Sequence, residues 1–291
     1  MRPYAWLWFD TLPITVLYFL LEPAQPSFAR LTKTVVMFIC LDAGATTLND
    51  VFDIESDRRS KESNRRERPL VTGVVSRPAA LLQGALLMLA AVVLSIWIGG
   101  LMPLTGGLTI LLGIAYSTPP MRFNARPWSS QPFWLVFGAS LYLTVATAAE
   151  QLYTPQALLW LLGYYGFFAI GENLAKDIRD WDNDRAGGKV TLVVKFGPHR
   201  AALGSLVGAI FGTLAYTLMC SFSSQIGTWA SLISTGILMN WLFRVTHLVR
   251  TLRTTYDKPA ARELHLGYIR TFLWLHLIWL SGMSFSLREF A

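Results

Sequence analysis

The sequence predicts an all-α membrane protein, in which nine transmembrane helices surround a central cavity that cytoplasmic loops cap. Three observations support this fold class. Of the 291 residues, 53% are hydrophobic and only 15% are charged, whereas soluble domains carry about 25% charged residues, and the mean hydropathy is +0.41. Apolar segments recur, each close to the roughly 20 residues that cross a bilayer. The basic residues collect on one side of these segments.

The apolar segments define the predicted helices in chain order. They lie at residues 4–22, 31–50, 79–99, 102–118, 132–150, 156–175, 200–221, 227–248 and 267–287. The third and fourth segments form one helical hairpin, and the fifth and sixth form another, because only a short turn with glycine or proline separates each pair. Nothing in the pattern requires a separate soluble domain, so we expect residues 1–291 to form a single domain.

The Lys and Arg residues predict the orientation of the bundle. With the N-terminus in the cytoplasm, the inside segments are 1–3, 51–78, 119–131, 176–200 and 244–270, and they hold 22 of the 25 basic residues. This bias predicts a multi-pass integral protein of the lipid bilayer. The odd number of spans puts the C-terminus on the opposite side. The same bias accounts for the net charge of +7, which therefore does not indicate nucleic-acid binding.

Two acidic clusters carry the strongest functional signal. Aspartates recur at i, i+3 and i+7 in both, as Asp50, Asp53 and Asp57 and as Asp177, Asp180 and Asp184. On a helix this spacing places three carboxylates on one face, which is unfavourable unless a cation neutralises them. Hard cations such as Mg²⁺ bind oxygen ligands of this kind and bridge them to phosphate. An isolated surface aspartate is usually just solvated, but acids at membrane depth are costly and usually functional.

A short basic loop follows each cluster. Residues 64–73 contain Arg65, Arg66 and Arg68, and residues 185–192 contain Lys189. Carboxylates, metal ions and basic side chains together can hold a diphosphate and stabilise the charge that develops as it leaves an allylic carbon. The carbocation left behind needs a dry pocket with aromatic faces. The chain can supply these, since it has 11 Trp, 10 Tyr and 17 Phe residues.

Several stretches of sequence resemble the motifs of one enzyme family. Residues 49–57 match N-D-x-x-D-x-x-x-D, and residues 176–192 match K-D-x-x-D-x-x-x-D-x-x-x-G-x-x-T-L. Between them, residues 68–76 match R-P-L-x-x-G-x-x-S and residues 116–122 match Y-x-x-P-P-x-R. These motifs, in this order, are similar to those of the UbiA superfamily of intramembrane prenyltransferases, of the 4-hydroxybenzoate polyprenyltransferase-like kind. The resemblance covers nearly the whole chain.

The resemblance implies a transferase that moves an isoprenyl group from an isoprenyl diphosphate to a small aromatic acceptor and releases diphosphate. It implies two Mg²⁺ ions, held by Asn49, Asp50, Asp53, Asp57, Asp177, Asp180 and Asp184. The substrate contacts that it implies are Arg65 or Arg66, Arg68, Tyr116, Arg122, Lys176, Arg179 and Lys189. The expected catalytic residues are Asn49, Asp50, Asp53, Asp177, Asp180 and Glu172.

The sequence departs from the family pattern in two places. After residue 122 the family often has a Lys-Arg pair, whereas this chain has Asn124 and Ala125, so part of a basic contact with the diphosphate is missing. The spacing between Asp57 and Arg68 also differs from that of some relatives. This difference leaves open which arginine of the loop contacts phosphate.

Glu172 is the one expected catalytic residue outside the motifs. It lies one helical turn before Lys176 and faces the expected cavity. It can bind the acceptor or remove its proton, although a purely structural role fits the sequence equally well.

Three rival functions fit parts of the pattern. A terpene cyclase of the same fold would use the prenyl diphosphate alone, and a different transferase would use an acceptor hydroxyl instead of an aromatic carbon. A transporter would place its ionisable residues near the bilayer midplane, whereas these clusters lie at one membrane surface. The sequence gives neither the prenyl chain length, nor the acceptor, nor the oligomeric state.

Overall fold

The computed structural model describes residues 3–21, 26–60, 63–126, 130–223, 225–254 and 256–283, and it is built from helices. Within these ranges the β-type pairing is limited to one isolated bridge between Ile226 and Met283. Long apolar runs favour helices in lipid because a helix satisfies its own backbone hydrogen bonds. The predicted all-α class is confirmed.

The first half of the chain supplies two long helices, three short ones and then three more long ones. They are α1 (Pro3–Leu20), α2 (Phe28–Phe52), α3 (Ile54–Arg58), α4 (Ser63–Arg66), α5 (Pro69–Thr72), α6 (Arg77–Ile98), α7 (Met102–Ser117) and α8 (Ser130–Ala149). A single 3₁₀ turn, Phe123–Ala125, precedes α8. The short helices α3 to α5 form the loop that follows the first acidic cluster.

The second half contains one continuous helical rod and three further long helices. The rod consists of α9 (Pro155–Tyr164), a π-helical segment (Tyr165–Glu172) and α10 (Asn173–Ala186). After it come α11 (Leu192–Phe196), α12 (Pro198–Phe222), α13 (Thr228–Thr254) and α14 (Lys258–Gly282). The second acidic cluster lies on α10, at the end of this rod.

Five of the described helices are long and apolar enough to cross a membrane, namely α2, α6, α8, α12 and α13. Two shorter apolar helical stretches accompany them, namely Thr11–Leu20 of α1 and Met102–Ser117, which is α7. These helices indicate an integral membrane protein, as the sequence predicts. The count of nine spans and the sidedness of the termini and loops stay predictions.

The first acidic cluster does not lie on one uninterrupted helix, which corrects the expectation from its spacing. Helix α2 ends at Phe52 and α3 begins at Ile54, with Asp53 between them at φ −96° and ψ 1°. The distortion is local, because the Asp53 N–H still donates to the Asn49 carbonyl at 2.9 Å and the Asp57 N–H to the Asp53 carbonyl at 2.8 Å. The second cluster does lie on a single helix, α10.

Glycines allow the π-helical segment to pack directly against α12. A Cβ atom on Gly166 would lie 2.4 Å from the Gly212 nitrogen, and one on Gly208 would lie 2.6 Å from the Gly166 carbonyl oxygen. Ser205 of α12 donates a hydrogen bond to the Gly171 carbonyl at 2.9 Å. This bond satisfies a backbone group near the end of the π-helical segment, where the regular α-helical ladder is interrupted. The close contact fixes the rod that carries Glu172 and the second cluster.

Candidate active site

Both acidic clusters open on one cavity of about 450 Å³. Its polar end is lined by Asn49 and Asp53 from the first cluster and by Asp177, Asp180 and Asp184 from the second. The opposing clusters therefore share one chamber, which is what the sequence requires if they act together. Helices α2, α7, α8 and α14 and the rod from α9 to α10 all contribute side chains to its wall.

Arg68 holds the two ends of the first cluster together. Its Nη1 atom donates to Asp50 Oδ1 at 2.9 Å and to Asp57 Oδ2 at 2.6 Å. Asp57 is buried, while the Asp50 side chain remains 31% exposed. The carboxylates before and after the distortion at Asp53 thus face one guanidinium group.

Arg65 joins the first cluster to the second. Its Nη2 atom lies 3.0 Å from Asp180 Oδ2, and its Nη1 atom lies 3.7 Å from Asp57 Oδ1. A neutral link runs beside it, since Ser60 Oγ donates to Asn183 Oδ1 at 3.0 Å. The loop after α2 therefore packs against α10 through both ionic and neutral contacts.

Asp53 is bound by two cations from other parts of the chain. Arg122 Nη2 donates to Asp53 Oδ1 and Lys189 Nζ to Asp53 Oδ2, both at 2.8 Å. Arg122 has φ 42° and ψ 56°, a left-handed conformation that non-glycine residues rarely adopt. This unusual backbone geometry directs the Arg122 side chain towards α2, where it also reaches the Phe52 carbonyl at 3.3 Å.

A chain of polar contacts, partly buried at Arg179, runs from Asp180 to Glu172. Arg179 donates to both carboxylate oxygens of Asp180, at 2.8 and 2.6 Å, and its Nη1 atom lies 2.9 Å from His265 Nδ1. The other ring nitrogen of His265, Nε2, lies 2.9 Å from Glu172 Oε1. His265 therefore connects the second cluster to the acid that lies deeper along the rod.

Two further contacts tie α7 and the loop after it to the clusters. Lys176 Nζ donates to the Tyr116 hydroxyl at 3.3 Å. Asn124 Nδ2 donates to Asn49 Oδ1 at 2.7 Å. Asn124, which stands where the family often has a basic residue, thus contacts the first motif through a neutral amide.

Burial and neighbouring charges separate the pKa values of the clustered carboxyls. Burial raises the pKa of Asp177 to about 7, with Lys176 acting in the opposite direction. Burial likewise raises the pKa of Asp184 to about 6. Burial also acts to raise the pKa of Asp53, but Lys189 and Arg122 outweigh it and hold that pKa below its ordinary value. For Asp180, the Arg179 hydrogen bonds and charge outweigh burial, and its pKa is also lowered.

The donor set suits a hard divalent cation. In the described part of the chain no three acidic or histidine side chains lie close enough together to hold a metal ion; Arg65, Arg68 and Lys189 instead pair with the carboxylates. Two carboxylate oxygens, Asp57 Oδ1 and Asp177 Oδ2, are nevertheless buried without a hydrogen-bond donor. Such unsatisfied carboxylate oxygens fit the oxygen ligands that Mg²⁺ prefers.

The structure separates the predicted basic residues into two groups. Those that line the cavity are Arg65, Arg68, Lys176, Arg179 and Lys189. Arg66 is exposed, so the loop turns Arg65 and Arg68 towards the clusters and Arg66 away from them. Tyr116 and Glu172 also line the cavity, whereas Arg122 reaches the site through Asp53.

Aromatic side chains form much of the remaining wall. They are Phe38, Tyr116, Phe133, Trp134, Phe137, Trp160, Tyr164, Phe168 and Phe272. Several of these rings contact one another, for example Phe133 and Phe137 with ring centroids 5.8 Å apart. The cavity thus combines a charged end with a wall rich in aromatic side chains.

Sequence reasoning missed two ionisable residues of this cavity. His265, on α14, has no motif around it, and only the packing of α14 against α10 brings it to Glu172. Asp42, on α2, also lines the cavity. A signal for Asp42 was available, because it lies seven residues before Asn49 and therefore on the same helical face.

Sequence comparison identifies relatives along most of the chain. The profile of the UbiA prenyltransferase family matches residues 11–276. A digeranylgeranylglyceryl phosphate synthase of Thermococcus kodakarensis is 35% identical over 200 residues, which are 67% of this chain and 64% of that protein. A chloroplastic chlorophyll synthase of Arabidopsis thaliana is 28% identical over 172 residues, which are 56% of this chain and 42% of that protein. The match spans slightly under two thirds of the length of the first of these relatives.

Solved structures share the fold over nearly the whole chain. A UbiA homolog from Archaeoglobus fulgidus bound to GPP and Mg²⁺ superposes with a TM-score of 0.68 at 17% identity, over 96% of this chain and 97% of that one. The apo structure of a UbiA homolog from Aeropyrum pernix gives a TM-score of 0.73 at 18% identity, over 97% of each chain. At this level of identity the comparison establishes a common fold.

Proposed function

The chain belongs to the UbiA prenyltransferase family, and on that premise we propose that it is an intramembrane prenyltransferase. It transfers an isoprenyl group from an isoprenyl diphosphate to a small aromatic acceptor and releases diphosphate. The cavity of about 450 Å³ is the observation that carries this proposal. Its lining includes residues of both acidic clusters, five basic residues and an aromatic wall. Each part matches one requirement of the reaction: diphosphate binding, cation stabilisation and exclusion of water.

The basic side chains at the polar end bind the diphosphate. Arg65, Arg68 and Lys189 pair with cluster carboxylates in this arrangement. A guanidinium group carries five N–H donors. Both carboxylate bonds of Arg68 come from its Nη1 atom, so Arg68 keeps donors for phosphate oxygens. Lys176 and Arg179 line the same end, and Arg122 acts by orienting Asp53.

The clusters are the proposed Mg²⁺ ligands, through Asn49, Asp50, Asp53, Asp57, Asp177, Asp180 and Asp184. The buried, unsatisfied oxygens of Asp57 and Asp177 support this assignment. A homolog with the same fold was solved with GPP and Mg²⁺, which also supports it. When bound, Mg²⁺ neutralises the charge that develops on the departing diphosphate.

The aromatic wall stabilises the allylic cation. Ionisation breaks the bond between the allylic carbon and a diphosphate oxygen, and the bonding electron pair leaves with the diphosphate. Tyr116, Phe133, Trp134 and Phe168 line the same cavity, and the faces of aromatic rings attract a cation. The dry wall also protects the cation from water, and its rings suit the stacking of an aromatic acceptor.

Glu172 takes the proton that the acceptor loses. An acceptor carbon donates its π electron pair to the allylic cation, and loss of the proton from that carbon restores aromaticity. Glu172 is buried, lines the cavity and lies 2.9 Å from His265. His265 orients this carboxylate and lets it share charge with Arg179, as a positioning partner of a general base does.

The test is product analysis with purified protein in nanodiscs. The protein receives Mg²⁺ and isoprenyl diphosphates of increasing chain length, with and without a panel of phenols, naphthols and indoles, and products are identified by mass. We expect diphosphate release coupled to a prenylated acceptor. Asp53→Asn should abolish turnover, whereas Asp182→Asn, an exposed acid on α10, should retain it.

Two outcomes would contradict the proposal. A cyclic hydrocarbon or alcohol formed from the diphosphate alone would indicate a cyclase. Failure to release diphosphate with every donor and acceptor, from protein that elutes as a folded species, would remove the enzymatic assignment altogether.

A further inference from the structure

Asp42 is an acidic residue inside an apolar helix, and the reaction described above does not use it. It lies within α2 (Phe28–Phe52), one of the helices long and apolar enough to cross a membrane. It is half-buried and lines the cavity. A carboxylate within a span is costly and usually serves a binding or transport function, so its presence here needs a reason.

The position of Asp42 separates it from the diphosphate site. Seven residues of α-helix advance about 10 Å and return to nearly the same face. Asp42 therefore lies about two turns from Asn49 on the cavity side of α2, away from the clusters. Thr46 lines the cavity between them, and Phe38 and Leu41 line it around Asp42.

Asp42 makes no hydrogen bond or ion pair with the described part of the chain. The basic side chains that line the cavity lie elsewhere: Arg65 and Arg68 follow α2, while Lys176, Arg179 and Lys189 lie on α10 or the loop after it. Four of these five pair with cluster acids, and Lys176 contacts Tyr116. None of these five basic side chains pairs with Asp42, and Asp42 itself lines the cavity.

An isoprenyl tail gives no reason for a carboxylate at this point. Burial of a charged or polar group against a hydrocarbon chain costs free energy unless a hydrogen-bond donor satisfies it. The diphosphate is the only polar part of the isoprenyl substrate, and it belongs at the far end of the cavity beside the clusters. A hydrogen-bond donor on the second substrate would satisfy Asp42.

We propose that Asp42 accepts a hydrogen bond from a hydroxyl or ammonium group of the acceptor, and that it disfavours acceptors with a carboxylate or another anion at that position. This inference rests on the proposed transferase function and specifies its acceptor. A charge-assisted hydrogen bond is roughly twice as strong as a neutral one, and an anion placed against Asp42 meets like-charge repulsion. Asp42 is thus a specificity-determining residue for the acceptor.

The experiment measures binding of four phenols that differ only at the para position. They are 4-methylphenol, hydroquinone, 4-hydroxybenzylamine and 4-hydroxybenzoate, which present a methyl group, a hydroxyl, an ammonium and a carboxylate. Protein in nanodiscs is first saturated with Mg²⁺ and geranyl S-thiolodiphosphate, a slowly reacting analogue of the donor. Dissociation constants are then measured by calorimetry.

We expect hydroquinone or 4-hydroxybenzylamine to bind about tenfold more tightly than 4-methylphenol, and 4-hydroxybenzoate to bind most weakly. The stronger of the two preferred phenols tells whether a hydroxyl or an ammonium is recognised. Asp42→Asn should remove the discrimination between the ammonium and the carboxylate, and Asp42→Arg should reverse it. Thr46→Val, one turn away on the same wall, should keep the order of the wild type.

The two levels of the proposal fail in different ways. If the wild type does not bind the thiolodiphosphate in the presence of Mg²⁺, the transferase function fails and this inference with it. If the analogue binds equally to the wild type and the Asp42 variants, the donor site stands. In that case, three results would overturn the role of Asp42 alone. They are equal binding of the four phenols, no binding of any phenol, and an order of affinities in Asp42→Asn that is the same as in the wild type.

Discussion

Arg65 and Asp180 form an ion pair of 3.0 Å between two segments that are far apart in the sequence. The pair joins the loop after α2 to α10, and it places both acidic clusters at the same end of one cavity. A diphosphate bound at this end lies within reach of both clusters and of the basic side chains between them. This arrangement leads to four predictions.

The first prediction separates the arginines of the loop. Arg68 bridges Asp50 and Asp57 and lines the cavity, whereas Arg66 is exposed. Arg68→Gln should raise the KM for the isoprenyl diphosphate at least tenfold, because a hydrogen bond to a charged group contributes about 1.5–3 kcal/mol. Steady-state kinetics over a range of diphosphate concentrations measure the effect.

Arg66→Gln is the matched control, because it removes the same charge from the same short loop. Its KM should stay within about twofold of the wild type, as expected for an exposed charge. Equal losses in both variants would mean that the loop contributes only general positive potential.

The second prediction concerns metal binding. Asp177 has a buried oxygen without a hydrogen-bond donor, whereas Asp182 on the same helix is exposed. Removal of Mg²⁺ with EDTA should abolish binding of geranyl S-thiolodiphosphate, because the clustered carboxylates then repel the anion. Asp177→Asn should raise the Mg²⁺ concentration needed for half-maximal binding about tenfold, and calorimetry at several Mg²⁺ concentrations measures it.

Asp182→Asn should leave that Mg²⁺ dependence unchanged. Full binding of the analogue by metal-free wild-type protein would exclude the clusters as metal ligands and assign diphosphate binding to the basic side chains alone.

The third prediction concerns proton removal. Glu172→Gln should lower kcat about 100-fold, a typical contribution of a general base, while the affinity for the diphosphate analogue stays the same. His265→Asn should lower kcat less and shift the pH profile of kcat, because Glu172 loses the partner that lies 2.9 Å away. Kinetics across a pH range, together with analogue binding, distinguish these effects.

Glu67→Gln, at an exposed position, is the control for removing one glutamate, and it should leave kcat unchanged. If Glu172→Gln kept the wild-type kcat, water or the diphosphate product would be the group that accepts the proton, and Glu172 would have a structural role.

The fourth prediction concerns the contact between the π-helical segment and α12. A Cβ on Gly166 would lie 2.4 Å from the Gly212 nitrogen, a backbone atom, so Gly166→Ala forces two helices apart. Such overpacking typically costs about 1–3 kcal/mol. We expect a clear fall in the apparent Tm of the detergent-solubilised protein.

Gly236→Ala provides the control, since a Cβ at Gly236 of α13 meets nothing within 4 Å. Its apparent Tm should be unchanged or slightly higher, because alanine favours a helix over glycine by about 1 kcal/mol. Equal apparent Tm values for the two variants would show that α12 can move away from the rod without cost.

The local sequence pattern sufficed to predict the class of the protein and most of the charged residues around the cavity. Apolar composition predicts membrane helices because the bilayer excludes unsatisfied backbone groups. The i, i+3, i+7 spacing of Asp177, Asp180 and Asp184 predicts one helical face, and α10 provides it. Asp50, Asp53 and Asp57 follow the same spacing, but the helix is interrupted at Asp53. Arg122 and Lys189 bind the Asp53 side chain there from distant positions.

The sequence by itself determined an integral, all-helical protein with two acidic clusters and a basic loop after each, since hydropathy and helical periodicity are local properties. Only the tertiary structure decided that Arg65 and Arg68, and not Arg66, turn towards the clusters. Only the packing of α14 against α10 brings His265 to Glu172, and only the assembled cavity gives Asp42 a surface to face. The physical reason is that these contacts depend on the path of loops and on the packing of helices far apart in the chain, which no local periodicity encodes.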